Sequence, residues 1–175
     1  RFVSYLPQRV VFPETLTARE VMQFYDRVRK LPKALADEAL ARANFNGFSD
    51  KAVSELSGGM VQRLGLAVAS MPDASILLLD EPTANLDPPG ALAFAERLAV
   101  LRATRGTTLV LVEHRADLAW PLADLVLALA ADGTPLAFGT PAELLARHRA
   151  TLVSAGMWLP DDVSSPEAYR AHFRL

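Results

Sequence analysis

A chain of 175 residues, 51% of them hydrophobic, is long enough for one domain with a substantial core. Its formal net charge of -2 gives no basic field to draw nucleic acid, its lack of cysteine excludes disulfides and thiolate metal sites, and no apolar run is long enough to cross a bilayer. The chain opens on Arg1 and enters the alternating Phe2-Val3-Ser4-Tyr5-Leu6 directly. That is a strand pattern without a lead-in, and it predicts a fragment whose upstream part has been removed.

After this strand, Thr17-Ala18-Arg19-Glu20 has the form of a capping box. The helix it starts is expected to bury Val21, Phe24, Val28 and Leu31 and to end at Pro32. An alanine-rich helix is predicted over 33–43, with a turn at Asn46-Gly47. A further helix is predicted over 60–71, with Val61, Leu64, Val68 and Met71 on one side, broken by Pro72-Asp73. A short apolar strand follows over 76–80.

Asp87-Pro88-Pro89 reads as an N-cap followed by proline in the first turn of a helix. That helix is expected to bury Leu92, Ala95, Leu98 and Leu101 and to close at Gly106. The remaining elements are strands over 108–113 and 124–129, a short helix over 116–122, a tight turn at Asp132-Gly133, a strand over 135–138, and a second capping box at Thr140-Pro141-Ala142-Glu143. Ser165-Pro166-Glu167 is expected to start a last short helix. Strands alternating with helices predict a largely parallel α/β sheet, and the nearly all-helical stretch over about 17–71 predicts a helical subdomain inserted into it. The α/β domain is expected over 1–150, with a tail over 151–175.

Two places carry chemistry. The strand over 76–80 delivers Asp80 and Glu81 at its carboxyl end, the edge at which open α/β sheets bind ligands. An aspartate there can hold Mg2+ on a nucleotide, and a glutamate one residue later can orient or deprotonate the attacking water. The plainer reading is a strand ending in two solvated acids. Ser57-Gly58-Gly59 stands before a helix, where bare amides and the helix dipole favour a phosphate; the plainer reading is an ordinary N-cap with a flexible lead-in.

Leu56-Ser57-Gly58-Gly59 with Gln62-Arg63-Leu64 resembles the signature motif of the ABC ATPases, P-loop NTPases that power membrane transport. The stretch over 76–81 with Pro82-Thr83 resembles that family's Walker B strand and catalytic glutamate, and Asn85-Leu86-Asp87 its D-loop. His114 is similar to its switch histidine and Gln8 to its Q-loop glutamine. The resemblance covers Arg1 to about Ala146. It implies the following roles. Asp80 and Gln8 serve Mg2+, Glu81 polarises the water, and His114 senses the γ-phosphate. Ser57, Gly58 and Gly59 bind the nucleotide held by a second, head-to-tail ATP-binding subunit, and Asp87 works across that interface. It also implies ATP as cofactor, a membrane-spanning partner docked near residues 12–20, and a place at the cytoplasmic face of the membrane. His148 and His172 receive no role.

The match has two departures. Met60 stands where the signature most often has glutamine, and no Gly-x-x-x-x-Gly-Lys-Ser/Thr occurs among the 175 residues. That loop supplies the amide cradle and lysine for the β- and γ-phosphates, so the chain by itself is expected to be inactive. A central strand leading to that loop is expected between the strands over 109–112 and 125–129. The wording around 12–20 and 57–60 is like ABC-2 exporter subunits, including those that assist nitrous-oxide reductase maturation. The wording around 112–115 and 138–145 is like cobalt or vitamin energy-coupling importers. A soluble ABC ATPase of translation or DNA repair, and a non-catalytic remnant of such a domain, stay open as alternatives.

Overall fold

The computed structural model describes residues 3–32, 34–45, 47–71, 74–114, 116–157 and 159. The expectations placed on Arg1, Phe2, Lys33, Asn46, Pro72-Asp73, Arg115, Ser165-Pro166-Glu167 and His172 lie outside them. The chain divides into two compact units, Arg1–Val112 and Glu113–Leu175.

The first unit is built on a parallel sheet of β1 (Val3–Leu6), β2 (Ile76–Asp80) and β3 (Thr108–Val112), in the order β1-β2-β3. Parallel neighbours need a long crossover. The crossover from β2 to β3 is α4 (Pro88–Arg105), and that from β1 to β2 carries α1 (Ala18–Arg29), α2 (Ala34–Arg42) and α3 (Gly58–Ser70). The two-residue period sends Ser4, Leu6, Leu77 and Leu79 to the buried face. Val3, Tyr5, Ile76, Val110 and Val112 stand exposed on the other. β1 is tied down twice. The Ser4 hydroxyl donates to the Ala69 carbonyl at 2.6 Å, and a Cβ on Gly65 of α3 would lie 2.8 Å from Val10 and 2.9 Å from Leu6. Only glycine lets α3 approach β1 this closely.

The helices between β1 and β2 have their own core, which includes Phe12, Val21, Met22, Leu40, Phe45, Leu64, Val68 and Met71. The Thr17 capping box forms: the Thr17 hydroxyl accepts from the Glu20 amide, and the Glu20 carboxylate accepts from the Thr17 amide at 2.8 Å. The Thr17 amide, and the Thr17 hydroxyl at 2.9 Å, both donate to the Glu20 carboxylate and hold it below its usual range. Of the face expected to be buried, Val21 is buried and Leu31 is partly buried against the helical core. Ala18, Val21, Met22 and Asp26 are buried, whereas Phe24 and Val28 are 50% and 61% exposed. An aspartate lies inside the buried stripe and two large apolar residues lie outside it, so the apparent apolar face is offset from the buried one.

Among the described side chains of α4, Ala91, Phe94 and Leu98 are buried; of the predicted set, only Leu98 is fully buried. Gly106 ends α4 in the left-handed conformation, at φ 60°. α3 starts at Gly58, two residues before the predicted start, because Ser57 caps it.

The second unit holds α5 (Ala116–Ala119), continued by a 3-10 turn, the antiparallel pair β4 (Val126–Leu129) and β5 (Pro135–Gly139), and α6 (Pro141–Ser154). Its core gathers Trp120, Ala128, Ala137, Leu144 and Leu152. Asp132 accepts from the Thr134 amide and Gly133 adopts φ 83°, which makes the tight turn between the strands. The Thr140–Glu143 capping box starts α6. β3 and β4 belong to separate sheets. Among the described residues no helix is long and apolar enough to cross a membrane.

Candidate functional site

The acid pair sits where the parallel sheet ends. Asp80 is the last residue of β2, paired with Val112, and the Glu81 amide continues the ladder by donating to the Val112 carbonyl at 2.9 Å. There the chain turns sharply. Glu81 has φ 39°, a left-handed conformation that a residue with a side chain adopts at a cost of order 1–3 kcal/mol. Two turn bonds, Ala84 amide to Glu81 carbonyl and Leu86 amide to Thr83 carbonyl, hold the conformation, with Pro82 and Thr83 buried beneath it.

Both acids are met by residues of β1 and the loop after it. Gln8 Nε2 donates to Glu81 Oε2 at 2.6 Å. Tyr5 donates from its hydroxyl to Asp80 Oδ2 at 2.9 Å. The Asp80 carboxylate accepts this bond and, by its charge, keeps the Tyr5 phenol protonated above its usual range. Tyr5 escaped the reading of the sequence. Its place follows from the parallel register, which sets Tyr5 opposite Leu78, two residues before Asp80 and on the same face.

The oxygens gathered here, from two carboxylates and the Gln8 amide, are the hard donors that Mg2+ takes. Among the described residues no group of three or more His, Cys, Asp or Glu side chains could hold a metal alone.

The helix N-terminus at Ser57 is the second part. The Ser57 side chain accepts from the Met60 amide at 3.3 Å, Ser57 and Gly58 are exposed, and a Cβ on Gly58 would meet nothing within 4 Å. A Cβ on Gly59 would lie 3.4 Å from Leu86 Cδ2, so this turn rests on the segment Asn85-Leu86-Asp87. Asp87 caps α4 by accepting from the Gly90 amide at 3.1 Å. A Cβ on Gly90 would lie 2.5 Å from Asp87 Oδ1, so the cap depends on glycine at that position. His114 is exposed and falls in the second unit, two residues beyond β3. Gln8, Asp80 and Glu81 are thus brought together, and Gly59 is brought to the segment that ends in Asp87.

The family described as ABC transporter matches residues 1–84. The zinc import ATP-binding protein ZnuC of Ruegeria pomeroyi is 36% identical over 137 residues, 76% of this chain and 53% of that protein. The energy-coupling factor transporter ATP-binding protein EcfA2 of Listeria welshimeri is 36% identical over 141 residues, 81% of this chain and 45% of that protein. The chain therefore spans about half the length of these curated relatives. A solved structure described as the ATP binding subunit of an ABC transporter superposes with a TM-score of 0.72 over 88% of this chain and 68% of that one. At 21% identity that likeness speaks for the fold, an ABC-type α/β ATPase core. Residues 1–84 thus match the ABC transporter family, and over about three quarters of its length the chain is similar to ATP-binding proteins of such transporters.

Proposed function

We propose that these residues are part of the ATP-hydrolysing subunit of an ABC transporter, which couples ATP turnover to movement of a solute through membrane-spanning partner subunits. The observation that carries this is the acid pair at the carboxyl end of β2, with the Gln8 amide on Glu81 and the Tyr5 hydroxyl on Asp80. In this reading Asp80 and Gln8 serve Mg2+, which when bound offsets phosphate charge. Glu81 orients the attacking water and takes its proton. Ser57, Gly58 and Gly59 offer amides at a helix N-terminus to the γ-phosphate of nucleotide held by a second subunit arranged head to tail. Asp87 works across that interface, His114 senses the γ-phosphate, and the subunit lies against the cytoplasmic face of the membrane.

The relatives include one named for zinc import and one for an energy-coupling factor transporter. Import of a metal ion is therefore the transport class we favour. Within the stretch expected to meet the partner, Phe12 is 7% exposed and meets Tyr25 edge-on with ring centroids 6.2 Å apart, so it packs in the helical core. Phe24, whose ring meets Tyr25 at 5.4 Å, stands exposed with Val28 one turn on, and these two apolar side chains suit a short amphipathic helix of the membrane partner. Phe24→Asp tests this. It should leave the melting temperature unchanged and uncouple transport from ATP use, whereas coupled transport at the wild-type rate would rule the face out.

A further inference from the structure

We propose that Tyr5 is a positioning residue. Its hydroxyl fixes the plane of the Asp80 carboxylate and so presents Asp80 Oδ1 to a divalent cation. This rests on the reading of Asp80 as a cation residue.

The geometry is set by the sheet. β1 and β2 run parallel with Tyr5 opposite Leu78, and the two-residue period puts Asp80 on the face that Tyr5 occupies. From one strand over, the phenol reaches past Leu78 to the end of β2 and donates to Oδ2 at 2.9 Å. A phenol has one proton to give, so it engages one carboxylate oxygen. Among the described residues no hydrogen bond reaches the other.

Little else in the fold calls for tyrosine at this position. β1 is anchored from its opposite face by the Ser4 hydroxyl on Ala69 and by buried Leu6, while the Tyr5 ring is half exposed. A carboxylate at the end of a strand turns freely about its terminal bond unless something holds it. Cation ligands are characteristically held by such an outer hydrogen bond, and losing it lowers metal affinity by about 10–100-fold. Gln8 does the corresponding work for Glu81 at 2.6 Å, so β1 and its following loop restrain both acids from one side.

Tyr5→Phe keeps the ring and removes the donor. Mn2+ binding to the full chain, followed by electron paramagnetic resonance, is compared for wild type, Tyr5→Phe, Asp80→Asn and the double variant. The proposal expects Tyr5→Phe to weaken Mn2+ binding by about 10–100-fold without lowering the melting temperature. It expects no further loss when Tyr5→Phe is added to Asp80→Asn. If Asp80→Asn weakens binding and Tyr5→Phe does not, the positioning role is overturned and Asp80 keeps its own. If Tyr5→Phe lowers Mn2+ affinity equally in both backgrounds, its effect is on the fold, and the proposal fails. If Asp80→Asn changes nothing, the cation reading of Asp80 itself is overturned.

Discussion

The Gln8 amide donates to the Glu81 carboxylate at 2.6 Å, joining residues 73 apart in sequence across the end of a parallel sheet. A hydrogen bond to a charged acceptor is short and holds its geometry. Here it restrains an acid whose backbone is already set at φ 39°. Gln8→Ala should therefore lower ATP turnover in the assembled transporter roughly tenfold, by loosening the group that orients water. Because Gln8 is exposed, the melting temperature should not change. Turnover measured against Mg2+ concentration, beside a thermal melt, separates loss of positioning from loss of fold.

Ser57→Arg should stop turnover while the subunit stays folded. An arginine at the start of α3 opposes the helix dipole and fills the exposed space above Gly58. The substitution also removes the cap on Met60, at a cost of about 1 kcal/mol. In a mixed dimer, only the nucleotide facing the altered signature should be left unhydrolysed. Loss at the variant's own nucleotide instead would contradict the head-to-tail arrangement.

Gly65→Ala should destabilise the first unit by about 1–3 kcal/mol, because the new methyl would press on Val10 and Leu6 at 2.8 and 2.9 Å. Those neighbours flank Gln8, and Leu6 adjoins Tyr5, so turnover should fall as well. A chemical denaturation curve with an unshifted midpoint would show that α3 moves away without cost.

Asp26 predicts a pH dependence of stability. Its carboxyl is buried with no hydrogen-bond partner on either oxygen, and burial, reinforced by the charge of Asp37, raises its pKa. The folded state thus holds the proton more tightly than the unfolded state. The stability this gives is full at acid pH and falls as pH rises from the ordinary carboxylate pKa, about 4, through the raised folded value. Asp26→Asn should remove this fall, melting higher than wild type at pH 7 and no higher below about pH 4. Parallel melting curves at the two pH values decide it.

Much of this was legible along the chain, and what was hidden has physical causes. Strand β2 is a short apolar run bounded by breakers, and the caps at Thr17, Ser57, Asp87 and Thr140 are local chemistry that four residues suffice to specify. The buried face of α1 was hidden because Asp26 occupies a core position while Phe24 and Val28 face outward; periodicity cannot see which side the neighbouring helices take. Tyr5 on Asp80 depends on the register of two strands 70 residues apart, and no local pattern encodes that. The burial of Phe12 likewise comes from α1 folding back over it through Tyr25.

The most direct test of the central claim is phosphate release by the assembled transporter, with Glu81 intact and with Glu81→Gln. Removing a general base costs about 10²–10⁴ in rate. The variant should therefore lose at least a hundredfold in turnover while still binding ATP, and ATP should then hold two subunits together. Turnover equal to that of the intact protein would contradict the account.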